Sequence, residues 1–589
     1  MNEVRTFFIL LDNSIKVESI MIKTYQTFIL ALIATNVSAQ LTTNLNNKKP
    51  NVIILYFDDM GYGDLGANGK TALKIPKDCK FLNPNKKTLT PNLDKFASEI
   101  MRFTNGHSSD GVCSPSRYSL VTGKYSWRTS LKRGVTGGYS PTFMDADTFT
   151  IGTLFQNVGY KTAMIGKWHI GMTFFDSEGK PYSHKGNDPN AMANGYVDFS
   201  KEVKDTPAHR GFDYWFGTPA SLDMPPYAWL ESKNGKVNVL YKGAIVTNDK
   251  VDFSQAQIAT NSNFVVFQKN EGVHARGGAK DPSFVFEDYL QIQAQKVKNL
   301  IHTYQQENVP FMMYIPMPAP HEPHAVQDKF KGSTGYEYGD YLVQTDFYAG
   351  QIIEALGDPS DPNSLASNTV VLITSDNGPE QGAFYRSLKL NHDANGPWAG
   401  IKRDNYEGGT RVPFMVRWPT IANPGITNEV CLQGDIVATM ASYLKYELTE
   451  EQAPDSESFL SILKGKRKPK KGRTGIVEHS SRGQFAFVDK KGEWKLMDGT
   501  GGGGNKTTVD ANNNKILKFG ELRGKPRQLF NLKKDPGETD NLLIDDPQNP
   551  NDNNDPTKAA LQKEIELYEH LNHIRGDKMF GSELVEKIN

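Results

Sequence analysis

Short apolar runs, each ending in a polar or glycine-rich turn, set the rhythm of this chain. Residues 52–57, 162–165, 311–315 and 370–373 carry apolar residues with little alternation, and helix-like stretches separate them. Such runs fit strands buried on both faces of a mostly parallel sheet covered by helices, although periodicity leaves a buried helix open for any single one. The alternation predicts an α/β fold.

The residues just after each run carry the chemistry. The first run leads into Asp58-Asp59, the second into Lys167 and His169, the third into His321 and the fourth into Asp376-Asn377. Ligands gather beyond the carboxyl ends of strands in sheets of this kind. Four strand ends would therefore bring carboxylates, an amide, a lysine and two histidines to one rim.

Further on, helices are expected at 435–446 and around 458–463, and the basic stretch 464–473 reads as a linker. Segments 474–478, 484–488 and 494–497 predict a small antiparallel sheet, 501–504 and 545–555 loops, and 559–571 a closing amphipathic helix. The division expected is a signal segment over 1–39, a catalytic domain over 40–465 and a C-terminal α+β subdomain over 466–589.

Composition places few limits beyond a folded enzyme. Hydrophobic residues are 38% and charged residues 23% of 589, ordinary for a globular protein. Lys plus Arg and Asp plus Glu are 67 each, so no global field favours nucleic acid or an anionic membrane. Any preference for anions must be local. Near the N-terminus, Met21 and Lys23 precede the apolar stretch 28–34 and then Val37-Ser38-Ala39, the order of a secretory signal cleaved after Ala39. That stretch falls short of the roughly 20 apolar residues that span a bilayer. A tethering helix is the alternative; a cleaved signal predicts a periplasmic or secreted protein.

Three cysteines, Cys79, Cys113 and Cys431, are too few for a disulfide scaffold. Cys79 and Cys431 could pair, leaving Cys113. It opens the string Cys113-Ser114-Pro115-Ser116-Arg117, followed by Leu120 and Thr122-Gly123. Pro115 suits the first turn of a helix, so Cys113 is expected just before a helix N-terminus, where free N–H groups favour an anion and a thiol pKa falls.

This string resembles the signature of the formylglycine-dependent sulfatases, and the resemblance runs from about Asn51 to about Leu542. Asp58-Asp59 and Asp376-Asn377 are similar to that family's two metal-binding pairs. The stretch 166–171 resembles its lysine and histidine segment, Pro320-His321 its further histidine segment, and Gly400-Ile401-Lys402 with 407–413 its final active-site lysine and the turn behind it. The resemblance implies an alkaline-phosphatase-like fold in which a maturing enzyme converts Cys113 to formylglycine. It further implies one calcium on Asp58, Asp59, Asp376, Asn377 and the modified Cys113. Three carboxylates and an amide oxygen are a hard set that suits calcium or magnesium. By the same resemblance Lys167 and Lys402 hold sulfate, His321 protonates the leaving oxygen, His169 bonds the formylglycine, and Arg117 holds its hydrated form.

Tyr182, His184, His209, Arg210, Asp223, Tyr227, Trp229 and His324 lie in stretches that could line a sugar site, with Arg210 in a segment that resembles a packing element. The expected substrate is a sulfated polysaccharide or oligosaccharide, such as ulvan or carrageenan fragments or a glycosaminoglycan. Two alternatives are a phosphonate or phosphate ester hydrolase on the same scaffold and a non-catalytic carbohydrate-binding relative.

Overall fold

The fold is built around the strand Asn51–Asp58, all eight of whose residues are buried. Ile53, Leu55 and Phe57 enter one apolar cluster and Val52, Ile54 and Tyr56 another, so the strand is covered on both faces. The computed structural model describes residues 49–69, 75–77, 79–83, 85, 87–268, 274–384, 391–466, 472–499, 501–505, 507–509, 515–518, 527–543 and 558–576. The expected signal segment and the 545–555 loop lie outside these. Among the described residues no helix is long and apolar enough to cross a membrane.

An 11-stranded sheet carries Asn51–Asp58 near its middle. Phe311–Pro320 and Thr369–Ser375 flank it in parallel, and Lys161–Lys167 and then Tyr214–Thr218 continue the parallel run. Beyond Tyr214–Thr218 on one side and Thr369–Ser375 on the other, the next strands pair antiparallel. All four expected strands are present, two with consequences for the rim. Phe311–Pro320 runs five residues past its apolar start and ends directly at His321. A register shift between Tyr56 and Asp58 then sets Asp58 opposite Pro320. Irregularities of this kind re-aim side chains beside functional sites.

The helix expected after Cys113 spans Cys113–Thr122 and is buried at every position. Cys113 is its first residue rather than the residue before it. Gly123 ends it in the left-handed region (φ 64°), and a Cβ there would stand 2.6 Å from the Ala453 side chain.

The C-terminal sheet has four antiparallel strands, Gly475–His479, Phe485–Asp489, Trp494–Met497 and Gln528–Asn531. The alternation pattern predicts the first three and not the fourth. Helix Lys558–Arg575 packs Leu567 and Leu571 into a cluster that also takes Tyr125, Trp127 and Tyr406. The basic stretch before this sheet is not simply a solvated linker at its end: Arg473 makes a fork with Asp435 at 2.7 and 2.5 Å.

None of the three cysteines, all among the described residues, is in a disulfide. Cys79 packs against the cluster on one face of the main sheet while Cys431 is buried in the cluster on the other, so the pair that the sequence leaves open is ruled out by the sheet between them.

Candidate active site

The rim expected from the strand ends is present and closed. Asp58, Asp59, Cys113, Arg117, Lys167, His169, His321, Asp376, Asn377 and Lys402 are all buried. Asp58 and Lys167 end the two strands that flank Phe311–Pro320 in the parallel run, and Lys167 Nζ reaches Asp58 Oδ2 at 2.5 Å. Arg117, one turn into the helix that begins at Cys113, donates from Nε and Nη2 to Asp376 Oδ2 at 3.1 and 2.8 Å and lies 3.5 Å from Asp58. Lys402 Nζ donates to Asp59 Oδ2 at 2.7 Å, and His321 Nε2 stands 3.7 Å from the same oxygen. The Cys113 thiol faces Asp58 Oδ1 at 3.4 Å.

Three carboxylates thus meet three fixed cations around one sulfur atom. Burial opposes the Asp58 carboxylate, but Lys167, His321 and Arg117 together hold its pKa well below the usual range. Asp376 goes the other way: burial and the neighbouring Asp58 push it up to about 7. The thiol corrects the sequence expectation. Burial first, then the Asp376 carboxylate, raises the Cys113 pKa well above normal, outweighing Lys167 and Lys402. A helix N-terminus is therefore not enough to make this sulfur a thiolate. Burial, with Lys167 and Arg117 beside it, also keeps His169 neutral.

Two features suit a hard cation. Ligand atoms of Asp58, Asp59, Cys113 and His321 all lie within 4.8 Å of one another. Asn377 donates from Nδ2 to Asp59 at 2.7 Å, which leaves its buried Oδ1 with no hydrogen-bond partner. An orphaned carbonyl oxygen beside clustered carboxylates is what an oxygen-liganded metal needs.

The structure adds residues that the sequence does not point to. Ser221 Oγ accepts from Lys167 Nζ at 2.5 Å. It follows Tyr214–Thr218, so recognising that strand would have put Ser221 on the same rim. His169 Nε2 bonds the Thr136 carbonyl at 2.8 Å, and its buried Nδ1 has no partner. The carbonyl accepts only a proton, which fixes the tautomer and leaves Nδ1 as a free acceptor. The C-terminal sheet reaches the site as well. His479 bonds Asp110 Oδ1 at 3.0 Å and exchanges backbone hydrogen bonds with Ser109 and Gly111, just ahead of Cys113.

Of the residues suggested for a sugar site, most are structural. Trp229 stacks between Phe216 and Tyr289, and Tyr227 packs on Phe267 and Phe286. Arg210 is buried on the carbonyls of residues 144–146 and on Asp205. His209 and Arg210 line a groove with Thr122 and Lys124, at the opposite end of the helix that begins at Cys113. Tyr182 bonds the Lys185 carbonyl, His184 stacks on Tyr196 at 3.9 Å, and His324 packs on Tyr338. Asp223 pairs at 3.3 Å with Arg276 and lies two residues beyond Ser221.

Fixed cations converging on one buried sulfur position suit an ester whose reacting group is itself an anion, which sets this fold and site among hydrolases of charged esters. Residues 50–446 match the Sulfatase family, and the chain belongs to it. It is 29% identical over 531 residues to the N-acetylgalactosamine-6-O-sulfatase of Bacteroides thetaiotaomicron, covering 87% of this chain and 93% of that protein. It is 26% identical to human arylsulfatase A over 505 residues, 84% of each chain. A solved structure described under metabolism of multiple glycosaminoglycans by Bacteroides thetaiotaomicron superposes with a TM-score of 0.66 at 25% identity, covering 90% of this chain and all of that one. The protein is a sulfuric ester hydrolase.

Proposed function

We propose that this sulfatase removes sulfate from a sulfated amino sugar in a polysaccharide or oligosaccharide of glycosaminoglycan type. The observation that carries the reading is the meeting of Lys167, Lys402 and Arg117 with Asp58, Asp59 and Asp376 at Cys113. Likeness to an N-acetylgalactosamine-6-O-sulfatase over most of both chains favours a glycosaminoglycan over ulvan or carrageenan. The secretory order of residues 21–39 supports a periplasmic or secreted enzyme acting on such polymers.

Cys113, matured to formylglycine, supplies an aldehyde hydrate that takes the sulfuryl group and later releases it as sulfate; the Sγ atom stands in for its hydroxyl oxygen. Asp58, Asp59, Asp376 and Asn377 would hold calcium, which supplies charge for the sulfate oxygens and lowers the pKa of the nucleophilic hydroxyl. The chain's own residues do the rest. Lys167, steadied by Ser221, and Lys402 bind sulfate oxygens and stabilise the charge that develops on them. Arg117 is locked by Asp376 and keeps the nucleophile helix in register with the Asp58 strand. His169, neutral and with Nδ1 free, accepts a proton from the formylglycine hydroxyl. His321 uses Nδ1 to bond the Glu322 carbonyl at 2.5 Å, so Nε2 is the atom that would carry a proton to the leaving sugar oxygen.

The test is sulfate release from 6-sulfated N-acetylgalactosamine, carrageenan fragments and a phosphonate ester, with and without chelator. Release from the amino sugar alone, lost on chelation, restored by calcium and absent in Cys113→Ala, is expected. Preferential cleavage of the phosphonate ester would replace this reading with the rival hydrolase. Folded, matured protein that cleaves none of them would favour a binding protein.

A further inference from the structure

Asp59, Lys402, Glu380 and Arg403 form a chain of alternating charge that climbs out of the site. Lys402 Nζ lies 2.7 Å from Asp59 and 3.5 Å from Glu380, and the Glu380 carboxylate meets Arg403 in a two-bond fork at 2.6 and 2.8 Å. Side-chain exposure rises along it, from 1% and 4% for Asp59 and Lys402 to 16% for Glu380 and 36% for Arg403. The outer pair is thus the site's wetted rim, one residue from a sulfate-binding lysine.

The pair stands on the leaving-group side. Burial opposes the Glu380 carboxylate, but Lys402, Arg403 and His321 all lie close enough to hold its pKa down. The loop after it packs against the loop of His321: a Cβ on Gly382 would lie 3.4 Å from Glu322 Oε1. His321 faces the oxygen that leaves with the sugar, so whatever Glu380 and Arg403 touch belongs to the sugar.

Their geometry is fixed by the fold. Arg403 takes φ 85°, a conformation that a side chain rarely adopts. Its N–H donates to the Gly111 carbonyl at 2.6 Å, and its own carbonyl accepts from Ser481 N–H at 3.1 Å. Backbone held in such a region points to a side chain whose direction matters. Two of the five guanidinium N–H groups serve Glu380, and the remainder stay available.

The geometry points to the Glu380–Arg403 pair as the reader of ring hydroxyls on the sulfated sugar, Glu380 accepting from one hydroxyl and Arg403 donating to its neighbour. A locked carboxylate–guanidinium fork offers acceptors and donors in one plane, which matches adjacent hydroxyls that both donate and accept. This inference rests on the carbohydrate sulfate reading of the site.

The experiment compares matured wild type, Glu380→Gln and Arg403→Lys on 6-sulfated N-acetylgalactosamine, its 3-deoxy and 4-deoxy analogues, and 4-nitrophenyl sulfate. Wild type should lose roughly 10- to 100-fold in kcat/KM on at least one deoxy analogue, the range for hydrogen bonds to charged groups. In both variants that discrimination should shrink to about threefold or less, because the partner of the missing hydroxyl is already gone. A cooperative melting transition identifies any variant that fails to fold, and the other variant then carries the test. Undiminished discrimination in the variants, or none in wild type, overturns the inference alone. Wild type that cleaves 4-nitrophenyl sulfate but no sugar sulfate overturns the substrate reading itself.

Discussion

Replacing Gly504 with alanine should damage catalysis from outside the main sheet. The glycine run 501–504 is not merely a solvent loop: its turn lies against the backbone that carries Lys402. A Cβ on Gly504 would stand 2.0 Å from the Arg403 carbonyl oxygen, 2.3 Å from its carbon and 2.6 Å from its Cβ. Relief to ordinary contact needs the two backbones to part by about 1 Å, at an overpacking cost of about 1–3 kcal/mol. That movement breaks the bond from Asn505 Nδ2 to the Lys402 carbonyl, now 2.7 Å, and strains the one from Asn405 N–H to the Gly502 carbonyl, also 2.7 Å. A misplacement of about 1 Å at a group that binds the reacting ester can cost about 10²-fold. We therefore expect kcat on 4-nitrophenyl sulfate to fall by about 10- to 100-fold, with Tm lower by only a few degrees. Gly425→Ala, where a Cβ meets nothing within 4 Å, is the silent control. Unchanged kcat in folded, matured Gly504→Ala protein would refute the idea that this turn positions Lys402.

Three further outcomes are expected. Lys495 is buried 2.9 Å from both Glu407 and Glu478 and 3.5 Å from Glu538; changed to Met it takes the shared cation from three buried carboxylates, though Glu407 keeps Arg411 and Glu478 keeps His107, and the denaturation midpoint should report a loss of about 3–5 kcal/mol. His321→Ala should cut kcat on a sugar sulfate far more than on 4-nitrophenyl sulfate, whose leaving group needs no proton; equal losses would remove His321 as the acid. Burial raises the pKa of Asp346 to about 7, although it accepts from Asn92 and Leu93 N–H groups at the start of helix Pro91–Ser98. A raised folded-state pKa gives stability that is present at low pH and lost as pH rises toward 7. Between pH 5 and 8, Tm of the wild type should consequently fall relative to Asp346→Asn, and parallel curves would contradict the shift.

The centre of the fold is readable because strands buried on both faces leave unbroken apolar runs, as in Asn51–Asp58. The rim comes with it, since polar residues directly after such runs have one place to go. Other parts leave no local trace. Ser221 lies 54 residues from the lysine that it bonds, and Asn505 lies 103 residues from Lys402. Contacts at such separations have no period to detect. Three of the four C-terminal strands are legible, but neither the hold of His479 on Asp110 nor that of Asn505, in the turn after them, on Lys402 is. The Cys113 pKa escapes a local reading for a related reason. Helix position can be read from Pro115, whereas the burial and the carboxylates that raise the thiol arrive from other strands.

The central claim is that Cys113 is the seat of the nucleophile after maturation, and the mass of the peptide carrying it tests this most directly. Protein exported from a host that matures other sulfatases should show a loss of about 18 Da at Cys113, the change from thiol to aldehyde, in step with sulfate-releasing activity. Full activity in a preparation whose Cys113 peptide retains the unmodified mass would contradict the account.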